Sequence, residues 1–200
     1  MRRLQTHIFL GFDLGQRQDP AALVLLQRTH EPTGRLCPIT RETEMELRFA
    51  LIHAQRIPLR TPYLEIVSRL AHLIPTLNQR ALKTLAVDAS GVGAPVVELL
   101  KDARLQANIY PITISASGHP HSSPHGGYIV PRRDLITNLR VLFERRLLDL
   151  PAARHCRPQL TEELLNLRDR PTSSPDDLAI ATALAAWPAT TSIPHFFPNP

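Results

Sequence analysis

The stretch IFLGFDLGQRQDPAALVLL, residues 8–26, decides the fold because it places a short polar connection between two apolar runs. Apolar runs of this length, separated by turn residues such as Gly15 and Pro20, predict a β-hairpin. The first strand ends in a carboxylate, Asp13, and a second carboxylate, Asp19, lies in the connection. Carboxylate oxygens are ligands that hard divalent cations prefer, so the end of the first strand is a candidate metal site.

The residues after the hairpin predict one more antiparallel strand and then an alternation of helices and strands. Residues 28–41 are polar and contain proline, which predicts a loop. Residues 45–51 alternate between apolar and polar side chains, and this period of two predicts a third strand. The pattern then predicts a helix that opens at Pro62, a strand at 82–88, a helix at 95–103 and a strand at 108–114.

The second half of the chain is predicted to be mainly helical. Residues 115–127 are rich in Gly, Pro and Ser and predict a loop, with solvated side chains at His119, His121 and His125. Helices are predicted from Pro131, at 159–167 and at 175–187.

This order of elements predicts an α/β fold with a mixed five-stranded sheet. Three antiparallel strands come first, and parallel strands follow because strand-helix-strand crossovers produce parallel neighbours. The helices are expected on both faces of the sheet. A chain of 200 residues with 43% hydrophobic content favours one domain, over residues 1–187, with a proline-rich tail at 188–200.

Acidic residues recur at the ends of the predicted elements. Asp88 ends the fourth strand, and Asp176 with Asp177 opens the last helix. Taken singly, Asp13 and Asp88 also suit turns, and the later pair suits a helix N-terminus. If the first and fourth strands are parallel neighbours, however, their carboxylates meet at the sheet edge where α/β folds bind ligands. Crowded carboxylates repel one another unless a cation supplies the opposite charge, so the joint pattern predicts a metal site.

The chemistry of these ligands favours Mg²⁺ or Mn²⁺ over zinc, because the ligands are hard oxygens. Two such ions about 3.5–4 Å apart stabilise the attacking and leaving oxygens of a phosphodiester during hydrolysis. A net charge of +5 and a sequence pI of about 9.9 favour an acidic partner such as nucleic acid. The excess is almost entirely arginine, which a GC-rich coding sequence explains equally well.

Cysteine usage and hydrophobicity favour a reducing compartment. Cys37 and Cys156 stand alone, without the spacing of a disulfide framework or a zinc site. No apolar run approaches the ~20 residues that span a bilayer, and the N-terminus lacks the pattern of a signal peptide. We expect a cytoplasmic protein, bacterial or of the infected host cell, with no membrane partner.

Four segments resemble the RNase H-like nuclease domain at the C-terminus of the large terminase subunit of tailed bacteriophages. GFDLGQRQDPAALVLL at 11–26 looks like its first motif, LAVDASGVGAPVVELL at 85–100 its second and SPDDLAIATALA at 174–185 its third. IVPRRDLITNLRVLFERRLLDLP at 129–151 is similar to a segment typical of that family between the second and third motifs. The likeness extends from about His7 to Trp187.

The resemblance implies a Mg²⁺- or Mn²⁺-dependent endonuclease that uses two ions to cut concatemeric viral DNA during genome packaging. The metal ligands it implies are Asp13, Asp88, Asp176, Asp177 and, at an accessory position, Asp19. The catalytic set would be Asp13, Asp88 and one residue of the 176/177 pair. Asp177 is favoured over Asp176 because DLAIATALA resembles the DALAIA pattern of RuvC resolvases.

The partner implied by the resemblance is double-stranded DNA, with Arg132 and Arg133 as contacts to its backbone. No GxxxxGK[ST] motif occurs in the sequence, so the ATPase motor of a full large terminase is not encoded in these residues. A separate terminase ATPase, a portal protein or a small-subunit protein is therefore an expected partner.

Three rival functions fit the same sequence less well. A RuvC-like Holliday junction resolvase has a similar fold and order of acidic residues. An actin-like or sugar-kinase-like ATPase also begins with a strand and DxG, but Gln16 stands where that group often needs a hydroxyl or glycine. A DNA-binding module without catalysis remains a third alternative, although all three acidic positions are present.

Overall fold

The computed structural model describes residues 6–15, 20–91, 93–124, 126–150, 157–170 and 175–191. Its strands are β1 His7–Asp13, β2 Ala21–Leu36, β3 Thr43–Ile57, β4 Leu82–Asp88, β5 Asn108–Ser115, β6 His121–Ser122, β7 Tyr128–Pro131 and β8 Leu148–Asp149. Its helices are α1 Tyr63–Thr76, α2 Gly93–Asp102, α3 Arg132–Glu144, α4 Arg157–Asn166 and α5 Asp177–Thr190.

The described strands form one mixed sheet in the order β6-β7-β5-β4-β1-β2-β3-β8. β1 lies near the centre, antiparallel to β2 and parallel to β4. β5 and β7 continue the parallel half, and β2 and β3 form the antiparallel half. The predicted mixed α/β sheet is therefore confirmed, with three antiparallel strands first and parallel strands after them, although the short β6 pairs antiparallel with β7.

The predicted number of five strands is wrong, because eight strands pair within the described residues. The three additional strands are short: β6 and β8 have two residues each and β7 has four. Segments of this length carry too few side chains to show a period of two. β7 also runs into α3 directly, because Pro131 is both its last residue and the N-cap of the helix.

The predicted loop at 28–41 is also wrong, since most of it belongs to an extended β-ribbon. β2 continues to Leu36 and pairs with β3, whose first residue is Thr43. The side chains at 31–36 are exposed, so the ribbon lacks the buried face that makes a strand visible in a sequence. Its pairing rests on main-chain hydrogen bonds, and the residues that form the turn lie between Leu36 and Thr43.

Two hydrophobic cores lie on opposite faces of the sheet, as the prediction of helices on both faces requires. One core joins the sheet to α1 and α2, and the other joins it to α3, α4 and α5. α5 is buried from Asp177 to Ala189. It continues three residues past the predicted end at 187, because the helix accommodates Pro188 in its last turn.

Close contact between main chains holds α5 against β1. A Cβ atom added to Gly11 would lie 1.8 Å from the carbonyl oxygen of Ala181 and 2.7 Å from the amide nitrogen of Ala185. Glycine in the strand and alanines in the helix therefore allow the two backbones to approach. This contact fixes where the first residues of α5 lie relative to the end of β1.

Among the described residues, no helix combines the length and hydrophobicity needed to cross a bilayer. Asp19, His125, Cys156 and residues 192–200 of the predicted tail lie outside the described residues.

Candidate active site

The first two candidate residues lie side by side at one edge of the sheet. β1 and β4 are parallel neighbours, in register up to the pair Phe12 and Val87. Asp13 and Asp88 are the next residue of each strand. The sequence predicted a shared site if these two strands were parallel neighbours, and they are.

Asp88 is held in place by hydrogen bonds at the end of its strand. Its Oδ1 accepts the N–H of Ser90 at 2.8 Å, and the Ser90 hydroxyl accepts the N–H of Ile114 at 2.9 Å. Burial raises the pKa of Asp88, while the hydrogen bonds from Ser90 and the positive charge of Arg132 act in the opposite direction. The Asp88 carboxylate thus stabilises the turn after β4, and the positive charge of Arg132 still acts on it.

The acidic pair at the start of α5 points toward arginines rather than capping its own helix. Asp176 occupies the N-cap position without a side-chain capping bond, and it forms an ion pair with Arg132. Asp177 is buried, and its Oδ2 lies 3.3 Å from the Nη2 of Arg56. The alternative that Asp176 serves as a cap is therefore not what its side chain does in this structure.

The carboxyl group of Asp13 lies in the most repulsive environment of the site. Its pKa is raised well above the ordinary range, first by loss of hydration and then by the negative charges of Asp88, Asp177 and Asp176. Arg132 lowers this pKa but does not cancel the increase. Asp13 as a residue is partly exposed, but its carboxyl group is the part that loses hydration. The four acidic residues therefore share one electrostatic neighbourhood.

The carboxylates approach one another without forming a closed ligand set. Among the described residues, no three His, Cys, Asp or Glu side chains converge closely enough to hold a metal ion. The ion pairs give a physical reason, since Arg132 and Arg56 attract the carboxylates of Asp176 and Asp177. The donor chemistry nevertheless fits a divalent cation: the donors are oxygens, and their mutual repulsion is what such a charge would relieve.

The two arginines predicted to contact DNA occupy different environments. Arg132 is 9% exposed, and besides its pair with Asp176 its Nε donates to the carbonyl of Arg168 at 3.2 Å. Arg133 is exposed, and it donates to the carbonyl of Gly118 at 2.8 Å. Arg132 thus belongs to the carboxylate site, and Arg133 lies on the adjoining surface.

Two functional candidates were missed by reasoning from the sequence. Glu163 on α4 is 5% exposed, and its Oε1 lies 2.5 Å from the Nη2 of Arg56, near the end of β3. Burial raises the pKa of Glu163, against the effect of an N–H from Ala179 and of the Arg56 charge. The sequence carries no signal for either residue, because the burial of Glu163 and its approach to Arg56 are visible only in the fold.

Comparison with known proteins supports the fold. No protein-family model matches the chain, and no curated protein matches it in sequence. Among solved structures, the crystal structure of the large terminase nuclease from thermophilic phage G20c is similar, with a TM-score of 0.56 and 19% identity. The match covers 90% of this chain and 81% of that one. The chain therefore has a terminase-nuclease-like, RNase H-like fold, which confirms the predicted fold class.

Proposed function

We propose that this chain is a Mg²⁺- or Mn²⁺-dependent endonuclease that hydrolyses phosphodiester bonds in double-stranded DNA. The observation that carries the proposal is the position of Asp13 beside Asp88 at the ends of the parallel strands β1 and β4, where the charges of Asp88, Asp177 and Asp176 raise the pKa of Asp13. This group lies at the strand ends of a fold that the chain shares with a phage terminase nuclease. Repulsion among carboxylates destabilises a fold, and such arrangements are typical of functional sites.

In this proposal Asp13, Asp88 and one residue of the 176/177 pair hold the metal, with Asp177 favoured and Asp19 as an accessory ligand. When bound, two ions supply Lewis acidity toward the attacking and leaving oxygens of the phosphodiester. Asp88 arrives oriented by Ser90. The ion pairs of Asp176 with Arg132 and of Asp177 with Arg56 are the contacts that a cation competes with.

Arginine contributes to substrate binding in the same scheme. With Asp176 engaged as a metal ligand, the guanidinium of Arg132 would be free to bind a DNA phosphate beside the carboxylates. Arg133 provides a second contact from the exposed surface next to it. Both residues occur on the first turn of α3, so one helix presents the two positive charges.

We further propose that the cleavage serves viral genome packaging in the cytoplasm. The support is the shared fold and the basic charge of the chain. Because the sequence has no P-loop motif, translocation requires an ATPase that these residues do not encode. A terminase ATPase, a portal protein or a small-subunit protein is the kind of partner that this role requires.

The decisive experiment measures nicking of supercoiled plasmid in Mg²⁺ or Mn²⁺. We expect activity that EDTA abolishes and that Asp88→Asn reduces about a thousandfold, the equivalent of about 4 kcal/mol of lost charge stabilisation. The asparagine keeps an oxygen that can accept the Ser90 N–H, so the variant is expected to fold. Asp102→Asn, an exposed position at the end of α2, is the matched control and should cut like the parent.

Thermal unfolding provides a readout that does not depend on cleavage. Mn²⁺ at about a hundred times its dissociation constant should stabilise the parent by about 2.7 kcal/mol, and Asp88→Asn should lose this gain. A folded Asp88→Asn protein that cuts as fast as the parent would remove Asp88 from the mechanism. Preference for four-way junctions over linear duplex would indicate a RuvC-like resolvase, and ATP hydrolysis without DNA would indicate the kinase-like alternative.

A further inference from the structure

In the part of the chain that the structure describes, the first turn of α5 has no capping bond from its own N-cap residue. The first four N–H groups of a helix have no acceptor within the helix, and the N-cap side chain usually accepts one of them. Asp176 stands at that position but its side chain makes no capping bond. The N–H of Ile180 donates to the carbonyl of Asp176 at 2.8 Å. The N–H of Ala179, one residue earlier, takes its acceptor from another helix.

Glu163 supplies that acceptor from α4. Its Oε2 accepts the N–H of Ala179 at 3.0 Å. This amide is the third of the helix, one of those that a capping side chain normally satisfies. The negative charge also lies at the positive end of the helix dipole, where it is stabilising.

An arginine links this cap to the acidic pair. The Nη2 of Arg56 lies 2.5 Å from Oε1 of Glu163 and 3.3 Å from Oδ2 of Asp177. Glu163 thus binds Arg56 through one oxygen and the α5 main chain through the other. These two contacts hold the Glu163 carboxylate between Arg56 and the start of α5.

We propose that Glu163 is a positioning residue: it caps α5 from α4 and so leaves the carboxylates of Asp176 and Asp177 available to metal. The inference rests on the proposed nuclease function, because it assigns a role in the same site. An ordinary cap at position 176 would engage that side chain with its own helix. Capping by Glu163 satisfies the Ala179 amide, while the side chains of Asp176 and Asp177 pair with Arg132 and Arg56 and their charges still act on Asp13.

The test uses three variants of the full chain. Glu163→Ala removes the cap, and Glu163→Gln keeps an oxygen that can accept the Ala179 N–H. Glu162→Ala is the matched control, since Glu162 has the same charge and lies on the same helix but is exposed. Glu163 borders a surface cavity of about 180 Å³, so its truncation enlarges an existing cavity and the variant is expected to fold.

Two measurements separate the cap from its effect on metal binding. Amide hydrogen exchange of Ala179 in metal-free protein should become about fivefold faster in Glu163→Ala and stay near the parent rate in Glu163→Gln. Calorimetric titration should show Mn²⁺ binding about tenfold weaker in Glu163→Ala, largely restored in Glu163→Gln and unchanged in Glu162→Ala. A residue that only stabilises the fold would lower the melting temperature and leave the Mn²⁺ affinity of the folded protein unchanged.

The outcomes against the proposal are distinct. Unchanged exchange at Ala179 in Glu163→Ala would overturn the cap, whatever the chain does catalytically. Faster exchange with unchanged Mn²⁺ affinity would overturn the positioning role and leave a purely structural cap. A parent that binds no Mn²⁺ and cuts no DNA would overturn the proposed function and the positioning role together, while the exchange rates would still report on the cap.

Discussion

β1 packs against α5, and the charged side chains at the two ends of this pair have opposite surroundings. At the end where β1 begins and α5 finishes, Arg28 donates to the carbonyl of Ala189 at 2.9 Å and lies 5.1 Å above the ring centre of Phe9. It also contacts His7, whose Nε2 lies 2.9 Å from the hydroxyl oxygen of Thr84. A single positive charge here has acceptors and an aromatic face around it.

At the opposite end, negative charge is concentrated. Asp13 meets three other acidic residues, and the guanidinium of Arg132 only partly offsets them. The difference shows where the fold satisfies its buried charge and where it does not. A carbonyl acceptor and an aromatic ring surround the charge at the end that has no proposed chemistry. Repulsion persists at the strand ends, where binding of a cation would relieve it.

The largest expected effect comes from forcing β1 and α5 apart, because both ends belong to this pair of elements. Gly11→Ala places a methyl group on the main chain of α5, 1.8 Å from the Ala181 oxygen, so β1 and α5 must move apart. We expect the free energy of unfolding in urea to fall by about 3 kcal/mol or more. Gly34→Ala, in the ribbon where nothing lies within 4 Å, should cost only about 1 kcal/mol for its positive φ. Equal losses would contradict the close contact.

The next effect tests the end with the paired charge. Arg28→Met removes the donor to Ala189 and the cation above Phe9, so the free energy of unfolding should fall by about 2 kcal/mol. Urea unfolding monitored by circular dichroism measures this loss. Arg69→Met, which removes an exposed arginine of α1, serves as the control and should change stability by less than about 0.5 kcal/mol. A similar small change for Arg28→Met would mean that the two ends differ less than proposed.

The opposite end should respond with the opposite sign. A raised pKa means that folded Asp13 binds its proton more tightly than the unfolded chain does. This residue therefore favours the fold at low pH, and its contribution is lost as pH rises through the raised pKa. Asp13→Asn should stabilise metal-free protein by about 1 kcal/mol near pH 8 and by little near pH 4. Urea unfolding in EDTA measures this, and destabilisation at the higher pH would refute the assigned repulsion.

The smallest expected effect comes from an exposed carboxylate that belongs to neither end. Glu65 forms an exposed pair with Arg69 within α1 at 2.6 Å, where each side chain is 49% exposed. Glu65→Gln should change the free energy of unfolding by less than about 0.5 kcal/mol at any pH. A change as large as that of Asp13→Asn would show that loss of any carboxylate, and not relief of crowding, explains the stabilisation.

The fold could be predicted as far as local patterns reach. Alternation at 45–51 and the apolar run at 82–88 identify strands, because each buries at least one face. The ribbon beyond Arg28 could not be found this way, since its side chains at 31–36 are exposed. β8 has two residues and pairs with β3 through a contact between Phe49 and Leu148, which only the tertiary fold creates.

The candidate site was predictable in its aspartates and in Arg132, but not in Arg56, in Glu163 or in the inward orientation of Arg132. Asp13 and Asp88 follow apolar strands, so their place at the sheet edge follows from parallel pairing. Arg56 and Glu163 are 107 positions apart, and nothing local in either segment indicates that they meet. The inward orientation of Arg132 likewise depends on Asp176, which reaches it from the start of α5.

The direct passage of β7 into α3 has a consequence for ligand binding. Pro131, with φ −60° and ψ 137°, joins the strand to the helix without a loop, and Arg132 is the first residue after it. The backbone that carries Arg132 is therefore already ordered in the folded protein. Binding of a ligand costs no further backbone entropy at this position. In the proposed function, exchange of a carboxylate partner for a phosphate would then require only a side-chain rotation, on the timescale of rotamer changes.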